Sequence, residues 1–470
     1  MTKLSWLPNL EELKGPRYIA LADALESDIE QGELAHGTRL PTHRDLAWEL
    51  GVTVGTVTRG YSEATRRGLI SGEVGRGTYV QSDAGNRPHA TPMTWPTSDA
   101  IGRNAINMAS NSVPMAGQEQ KFADDLRELT GDPQFANHLI YPPNVGRADV
   151  RRAGADWIAQ TTGLPAVAER TYVTSGTQHA LTAAFHLVAK PGDTVLVEKL
   201  TYPGIKATAR TMQVRLAGVE MDEHGLMPDS LDAACRSHHP KLLCCVPTLQ
   251  NPSGSVMPEE RRREIAEVAD RHGVPILEDG IYDFLNEHKP RPIMTWTETP
   301  GFFATGLSKA ISPALRTGFL ITPEGQSDEM TRIMAATTLH APLLMTELAR
   351  RWLESGDVAL FEATVREEAR ARQVLTSERL KGLEFSAHPN GFHMWLTLPE
   401  PWRPTDFARA AERQGLILTP AESFAIGRDT VPFAVRLSIT GPMTHAELTS
   451  GLDIVANMVR DAPPSIGVVV

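Results

Sequence analysis

Residues 304–319 read Ala304-Thr-Gly-Leu-Ser-Lys-Ala-Ile-Ser-Pro-Ala-Leu-Arg-Thr-Gly-Phe319, and the rest of the chain is read outward from them. One lysine, Lys309, stands among small residues, and Arg316 follows seven positions on, beyond a proline. A lysine that is to bond an aldehyde carbon has to leave solvent and lose part of its basicity. Gly306, Ser308 and Ala310 give it the compact setting this needs. Arg316, past the turn stiffened by Pro313, presents a planar fork of N–H donors that fits a phosphate. Met alone, a Ser-Lys pair is more often a surface loop, so the neighbouring segments decide.

Around this stretch, apolar runs alternate with amphipathic helical segments, the pattern of an α/β, doubly wound, mainly parallel sheet. Strands are expected at 170–174, 194–198, 242–246, 275–278 and 301–304, with chemistry at their carboxyl ends. After the first, Ser175-Gly-Thr-Gln-His179 opens a helix, where Gly176, Thr177 and Gln178 can hold an anion; a plain threonine-capped turn is the alternative. After the second, Leu200-Thr-Tyr-Pro-Gly204 fixes a turn that lays the Tyr202 ring against a planar heterocycle, or buries it in a core. After the third, Pro247-Thr-Leu-Gln-Asn-Pro-Ser-Gly254 sets Asn251 to donate to a phenolate-type oxygen. The fourth ends in Asp279, suited to a pyridinium nitrogen or to a helix cap, with Tyr282 within reach of a ring oxygen or of the core.

These segments, in this order, resemble the fold-type I pyridoxal-phosphate aminotransferases over residues 105–470. The resemblance implies pyridoxal 5′-phosphate as cofactor, held as an aldimine on Lys309, with Asp279 and Tyr202 joining Lys309 in the chemistry. Relatives often carry a phosphate-binding serine three residues before the lysine, where this chain has Gly306; Ser308 or Thr177 is the expected substitute. Asn137-His-Leu-Ile-Tyr-Pro-Pro-Asn-Val-Gly146 resembles the segment that sends a tyrosine to the partner subunit's phosphate, so Tyr141 implies a homodimer. Phe433-Ala-Val-Arg-Leu-Ser438 matches the place from which the family binds a substrate carboxylate, giving that role to Arg436, with a structural ion pair as the alternative. Residues 150–345 are the expected large part, and 105–149 with 346–470 the smaller α+β part, including a strongly helical run over 345–381.

The first eighty residues are of another kind. Leu21, Ala22, Leu25 and Ile29 fall at helical spacing. Thr42-His-Arg-Asp45 is a capping pattern that opens a short helix ending at Gly51. Thr53 caps a third helix along Val54, Val57, Tyr61 and Ala64, which makes a helix-turn-helix. Residues 69–71 and 78–80 flank a Gly-Arg-Gly turn and read as a two-stranded wing with Arg76 at its tip. Leu40-Pro-Thr-His-Arg-Asp-Leu-Ala47 and Gly75-Arg-Gly-Thr-Tyr-Val80 resemble the signatures of GntR-type winged helices. Thr42, Arg44, Thr53, Thr56 and Arg76 are accordingly the candidate contacts to double-stranded DNA, although Thr42 serves equally as a cap. Where that family commonly places an arginine or asparagine, this chain has Val54 and Gly55. Gly55 and Gly60, each costing a helix about 1 kcal/mol against alanine, are expected either to let the DNA backbone approach or to leave the helix soft.

Residues 81–104, with three prolines and no apolar period, read as a linker. A winged helix (1–80) joined to an aminotransferase-like domain (105–470) is similar to the MocR family of bacterial regulators. That resemblance implies a head-to-tail homodimer, an amino acid, amine or the cofactor itself as effector, and a switch in DNA binding; a working aminotransferase with a vestigial or autoregulatory DNA-binding domain is the alternative.

Composition sets the frame. A net charge of −11 over 470 residues is not that of a generally basic nucleic-acid binder, so a DNA surface has to be local. Residues 39–80 supply it, with six arginines against four carboxylates. Three cysteines, an odd number, read as reduced buried thiols. The absence of a leader-like pattern and of any long apolar run gives a cytoplasmic expectation, with no membrane partner and no metal site.

Overall fold

The computed structural model describes residues 6–8, 16–30, 34, 38–66, 69–73, 77–80, 105–113, 118–288, 290–427 and 431–461. The expected linker, with Trp95, and the wing-tip Arg76 lie outside the described residues. Contacts divide the chain into two compact units, Met1–Pro92 and Met93–Val470.

The first unit carries helices Arg17–Glu30, His43–Glu49 and Val54–Arg66, followed by the antiparallel pair Ile70–Glu73 and Gly77–Val80. Leu21, Leu25, Leu46, Val57, Tyr61, Ile70 and Val80 form its core, so the apolar period read from sequence is the buried face. Residues 38–40 join the wing: Leu40 N donates to Thr78 O at 2.8 Å and Val80 N to Thr38 O at 2.9 Å. Gly60 differs from both expectations. A Cβ there would stand 2.6 Å from Leu21 Cδ2, so glycine at this position lets the first and third helices touch. Gly55 is exposed, and a Cβ there would meet only Thr53 Oγ1 at 3.8 Å, so no close packing accounts for this glycine.

The second unit is built on a seven-stranded sheet in the order Thr171–Thr174, Gly318–Ile321, Phe302–Gly306, Ile276–Asp279, Leu242–Cys245, Thr194–Glu198, Arg215–Val219. All neighbours are parallel except Gly318–Ile321, which runs antiparallel to both of its own. Each expected strand is present. Gly318–Ile321 and Arg215–Val219 are additions, and the first begins inside the quoted stretch: the chain turns after Lys309 and returns beside the strand it has just left. The central strands Gly318–Ile321, Phe302–Gly306, Ile276–Asp279 and Leu242–Cys245, and the edge strand Thr171–Thr174, are buried along their length, as a sheet covered on both faces requires.

A four-stranded sheet, ordered Phe385–Ala387, His393–Thr397, Ala434–Ser438, Thr419–Pro420, forms the smaller part with helices Pro404–Arg413 and His445–Arg460. Ile106–Asn107, just past the linker, pairs in parallel with Leu416–Ile417. The helical run expected over 345–381 is two helices, Leu343–Ser355 and Asp357–Arg379, parted by Gly356 at φ 83°. No helix among the described residues is long and apolar enough to cross a membrane, and no cluster of metal-binding side chains occurs among them.

Candidate functional site

Loops at the carboxyl ends of the parallel strands meet the small-domain strand Ala434–Ser438 around Lys309. Burial, then the cations Arg436 and Arg316, hold its amine down to about 8 against the pull of Asp279, which shows that these side chains converge. Lys309 Nζ donates to the Asn111 carbonyl. Asp279 ends the strand Ile276–Asp279, accepts from Ile281 N at 3.1 Å, and is pushed up to about 7 by burial. A carboxylate enclosed in this way is stabilised as an anion by a ring N–H⁺ placed against it. Tyr282 is buried, and its hydroxyl accepts from Asn111 Nδ2 at 2.9 Å. Burial also raises the Tyr202 hydroxyl, chiefly keeping the phenol neutral. Its ring lies against Gly204, where a Cβ would come within 2.3 Å of Cε1.

The loop that carries Asn251 is braced from beneath. Buried Arg262 donates to Met257 O (3.0 Å), Thr248 Oγ1 (2.8 Å), Pro247 O (3.3 Å) and Glu278 Oε1 (3.1 Å), tying this loop to the neighbouring strand. Asn251 Oδ1 accepts from Arg436 Nη1 at 2.8 Å, which leaves Nδ2 as the atom able to donate to a ligand. Arg436 also donates through Nη2 to Ala109 O and to Thr419 Oγ1 (3.4 Å), and lies 5.1 Å from the centre of the Phe424 ring. Its Nε is buried without a partner, and burial brings its pKa down to about 10. No carboxylate of the described residues pairs with it, against the alternative of a structural ion pair.

An anion site stands at the start of helix Thr177–Val188. Gly176 caps that helix at φ 79°, a conformation glycine adopts freely, and Arg316 at φ 46° turns its guanidinium back to donate to Ser175 O at 2.7 Å. A Cβ on Gly176 would stand 2.9 Å from Arg316 Nη2. The first N–H groups of a helix have no partner within it, and Thr177 Oγ1 and Ser308 Oγ are buried with none in the structure. Two orphan hydroxyls, a helix start and an arginine fork fit a phosphate. Gly306 explains the missing serine: a Cβ there would meet Thr177 Oγ1 at 2.9 Å, Thr317 O at 3.0 Å and Gly318 Cα at 3.1 Å. The Gln178 amide donates to Gly204 O (3.1 Å) and Thr208 Oγ1 (2.9 Å), so the side chain braces the adjacent helix and only its backbone N–H is left for an anion.

Tyr141 stands apart from these groups, 79% exposed, with its ring edge on His340. Leu139 and Ile140 beside it are also exposed, an apolar strip of the kind a second subunit covers. In the first unit the Thr42 hydroxyl is committed as a cap, donating to Asp45 Oδ2 (2.7 Å) and accepting from Asp45 N (3.3 Å). Thr53 caps the third helix through Thr56 N (3.2 Å), with the two threonine hydroxyls 2.9 Å apart. Arg44 is exposed on the second helix, and Thr53, Val54 and Gly55 are exposed at the start of the third.

Sequence reasoning passed over Asn111, His393, His179 and Arg262. Asn111 and His393 lie in segments without a motif, and only the fold brings them beneath Tyr282. His179 was quoted merely as the end of a turn, yet it accepts from Ser175 N at 3.2 Å and so fixes the anion loop, while Nε2 meets Thr337 Oγ1 at 2.8 Å.

Residues 103–455 match the family model for aminotransferase class I and II, and residues 17–80 that for bacterial regulatory proteins of the gntR family. The HTH-type transcriptional regulator YdeF of Bacillus subtilis, itself uncharacterized, is 28% identical over 458 residues and covers 97% of each chain. Among solved structures, an archaeal alanine:glyoxylate aminotransferase superposes with a TM-score of 0.71 at 22% identity, over 86% of this chain and 99% of its own. LysN, the α-aminoadipate aminotransferase of Thermus thermophilus, solved with N-(5′-phosphopyridoxyl)-L-leucine, gives 0.69 at 20% identity over 79% and 96%. At these identities the structures establish the fold.

Proposed function

We propose, starting from the fact that this chain belongs to the aminotransferase class I and II family and bears a gntR-type DNA-binding segment in the MocR arrangement, that it is a transcription regulator whose DNA binding responds to an amino compound or to the cofactor. Pyridoxal 5′-phosphate is the cofactor. When bound, it supplies an aldehyde that takes up amines and a pyridinium ring that draws electrons from the carbon next to the amine. Lys309 holds it covalently. Arg316, Thr177, Ser308 and the backbone of 176–178 take the phosphate, and Asp279 keeps the ring nitrogen protonated. Tyr202 covers a ring face, while Asn251 Nδ2 and the Tyr282 hydroxyl donate to the ring oxygen. Arg436, with its fork set by Asn251 and Ala109, takes the effector carboxylate. Tyr141 completes the phosphate site of the partner subunit in a homodimer. Arg44, Thr53, Thr56 and Arg76 contact DNA, with Thr42 placing the second helix against the backbone.

The segment immediately after the linker supports a route between the two functions. Within residues 108–111, Met108 O accepts from Ser438 N, Ala109 O from Arg436, Ser110 O from Ser438 Oγ, and Asn111 O from Lys309. An amino acid reaching Lys309, with its carboxylate on Arg436, would compete for two of those donors at once. Ligand occupancy therefore acts on the stretch of chain that continues into the linker, provided the two hydrogen-bonding states differ in their affinity for the effector.

The observation that supports this most is that a gntR-type segment and an aminotransferase class I and II domain occupy one chain, matched over 97% of both lengths by a protein named as a regulator. Anisotropy of fluorescent DNA from the adjoining promoter, titrated with protein with and without pyridoxal phosphate and with a panel of amino acids, tests it. A ligand-dependent change in affinity is expected. Steady amino-group transfer with no DNA binding in any condition would instead favour an aminotransferase with a vestigial head. The convergence of Lys309, Asp279, Tyr202 and Arg436 keeps that second reading in view.

A further inference from the structure

Beneath the candidate ring site runs a buried chain of polar groups whose protons can be assigned one after another. It starts at the Gln250 carbonyl, which lies 3.0 Å from His393 Nε2. A carbonyl only accepts, so the His393 proton is on Nε2. A neutral imidazole has one N–H, so Nδ1 is an acceptor. His393 is 1% exposed, and burial, reinforced by Arg436, depresses its pKa to about 3, in keeping with a neutral ring. Nδ1 faces the Asn111 side chain at 3.0 Å, and the atom facing it must therefore be the amide nitrogen. The second hydrogen of that nitrogen goes to the Tyr282 hydroxyl oxygen at 2.9 Å. With its oxygen already accepting, Tyr282 has its own hydrogen left to give elsewhere.

We propose that Asn111, oriented by His393 and the Gln250 carbonyl, is a positioning residue that commits the Tyr282 hydroxyl to act as a donor toward the ring oxygen of the bound cofactor. The proposal rests on the cofactor-site reading given above. Donation from Asn111 polarises the Tyr282 O–H, making it a better donor, and so stabilises a negative ring oxygen. With the cofactor held on Lys309, that oxygen would share a proton with Lys309 Nζ, so a stronger donor would favour the unprotonated nitrogen and lower its pKa. Lys309 and its surroundings are also charged by Asp279, Arg316 and Arg436, all of which remain when Asn111 is changed. Asn111 Oδ1 is buried without a partner, and the Asn111 carbonyl accepts from Lys309 Nζ, so this residue touches Lys309 as well as Tyr282.

The sequence around it, Ser110-Asn-Ser-Val-Pro114, carries no motif of its own. The partners lie 171 and 282 positions away along the chain, which is why the fold alone discloses them.

The test is a visible-absorbance pH titration of purified full-length protein loaded with pyridoxal phosphate. Asn111→Ala should raise the apparent pKa of the visible band by about 0.5 to 1 unit, the size expected for one hydrogen bond expressed in titration. Asn111→Asp, nearly isosteric, should raise it further, because a carboxylate accepts the Tyr282 hydrogen and reverses the donor direction. Tyr282→Phe should also raise the pKa, and adding Asn111→Ala to it should give little further shift, since Asn111 acts through Tyr282. Thermal melting of the same samples separates misfolding from this effect; were Asn111→Asp to unfold, the comparison of Tyr282→Phe with the double variant on retained cofactor still decides. An unshifted pKa in Asn111→Ala, or shifts that add fully in the double variant, overturns the proposal. A wild-type chain that takes up no pyridoxal phosphate and shows no visible band would instead overturn the cofactor-site reading on which it stands.

Discussion

Replacing Arg436 by alanine separates effector recognition from cofactor binding. The guanidinium is buried at 6% exposure, donates at 2.8 Å to Asn251 Oδ1 and also to Ala109 O, and stacks on Phe424. Nothing ties it to the anion end, where Arg316 and the helix start at Thr177 stand. Loss of one member of a desolvated carboxylate pair costs about 2 to 5 kcal/mol. At about 1.4 kcal/mol per tenfold, effector affinity should fall by roughly 30-fold to a few thousandfold. Asn251 Oδ1 loses its donor while Ala109 O keeps the Thr419 hydroxyl at 3.4 Å, which adds a stability loss of about 1 to 3 kcal/mol, toward the low end if water enters the vacated space. The assay is a dose–response of DNA anisotropy with common L-amino acids, each paired with the amine that lacks its carboxylate, alongside visible spectra of the same samples. Arg436→Ala should keep the spectrum and basal DNA binding, shift the amino-acid curves, and leave the amine curves where they were. Amino-acid curves unchanged by the substitution would show that no effector carboxylate is held by Arg436.

Covalent uptake of pyridoxal phosphate by the apoprotein should follow the Lys309 amine, which burial holds down to about 8 against an ordinary 10.5. The neutral amine is the nucleophile, so uptake should rise with pH through about 8 and then flatten; a rate still climbing tenfold per unit toward pH 10 would contradict the lowered value. Between 8 and 10.5 the unfolded chain keeps a proton that the folded chain has lost, so the Lys309 contribution to stability increases with pH across that window. Asp279→Asn should retain cofactor yet slow its exchange with amines, measured by stopped-flow absorbance, and wild-type rates would reduce Asp279 to a cap. Because burial raises Asp279 from 3.8 to about 7, the folded apoprotein holds the extra proton between those values and loses stability as pH climbs through them. The asparagine variant should therefore gain on wild type in urea melts at pH 8 and lose that advantage near pH 4. Gly306→Ser, which restores the residue common in relatives, should lower stability by about 1 to 3 kcal/mol through overpacking and weaken cofactor retention; tighter retention would mean that Thr177 gives way.

Much of this was legible because the chemistry sits at strand ends and strand ends are punctuated. Asp279, Asn251 and Lys309 each follow an apolar run and precede a turn, so period and punctuation alone place them together. Arg316 stands out in the sequence as a candidate phosphate ligand, yet the antiparallel strand Gly318–Ile321 that begins two residues later does not, since four buried residues carry no alternation to read. Gly60 was visible as a helix defect, but its reason lies in Leu21, 39 positions earlier, and only the packing of the two helices supplies it. Gln178 shows the converse: sequence places it at a helix start, while its side chain turns to Gly204 and Thr208, a competition between partners that sequence cannot rank. Asn111 and His393 were silent because their roles exist only between segments.

The most direct measurement is a single titration in which visible absorbance and anisotropy of promoter DNA are read from the same cuvette as pyridoxal phosphate, then an amino acid, is added to apoprotein, with Lys309→Ala in parallel. Wild type should develop the visible band and change its DNA affinity in step with cofactor or amine, whereas Lys309→Ala should bind DNA at the apoprotein level and respond to neither. DNA affinity that is identical across all additions while the band forms normally, or a full response in Lys309→Ala, would contradict a regulator governed through Lys309.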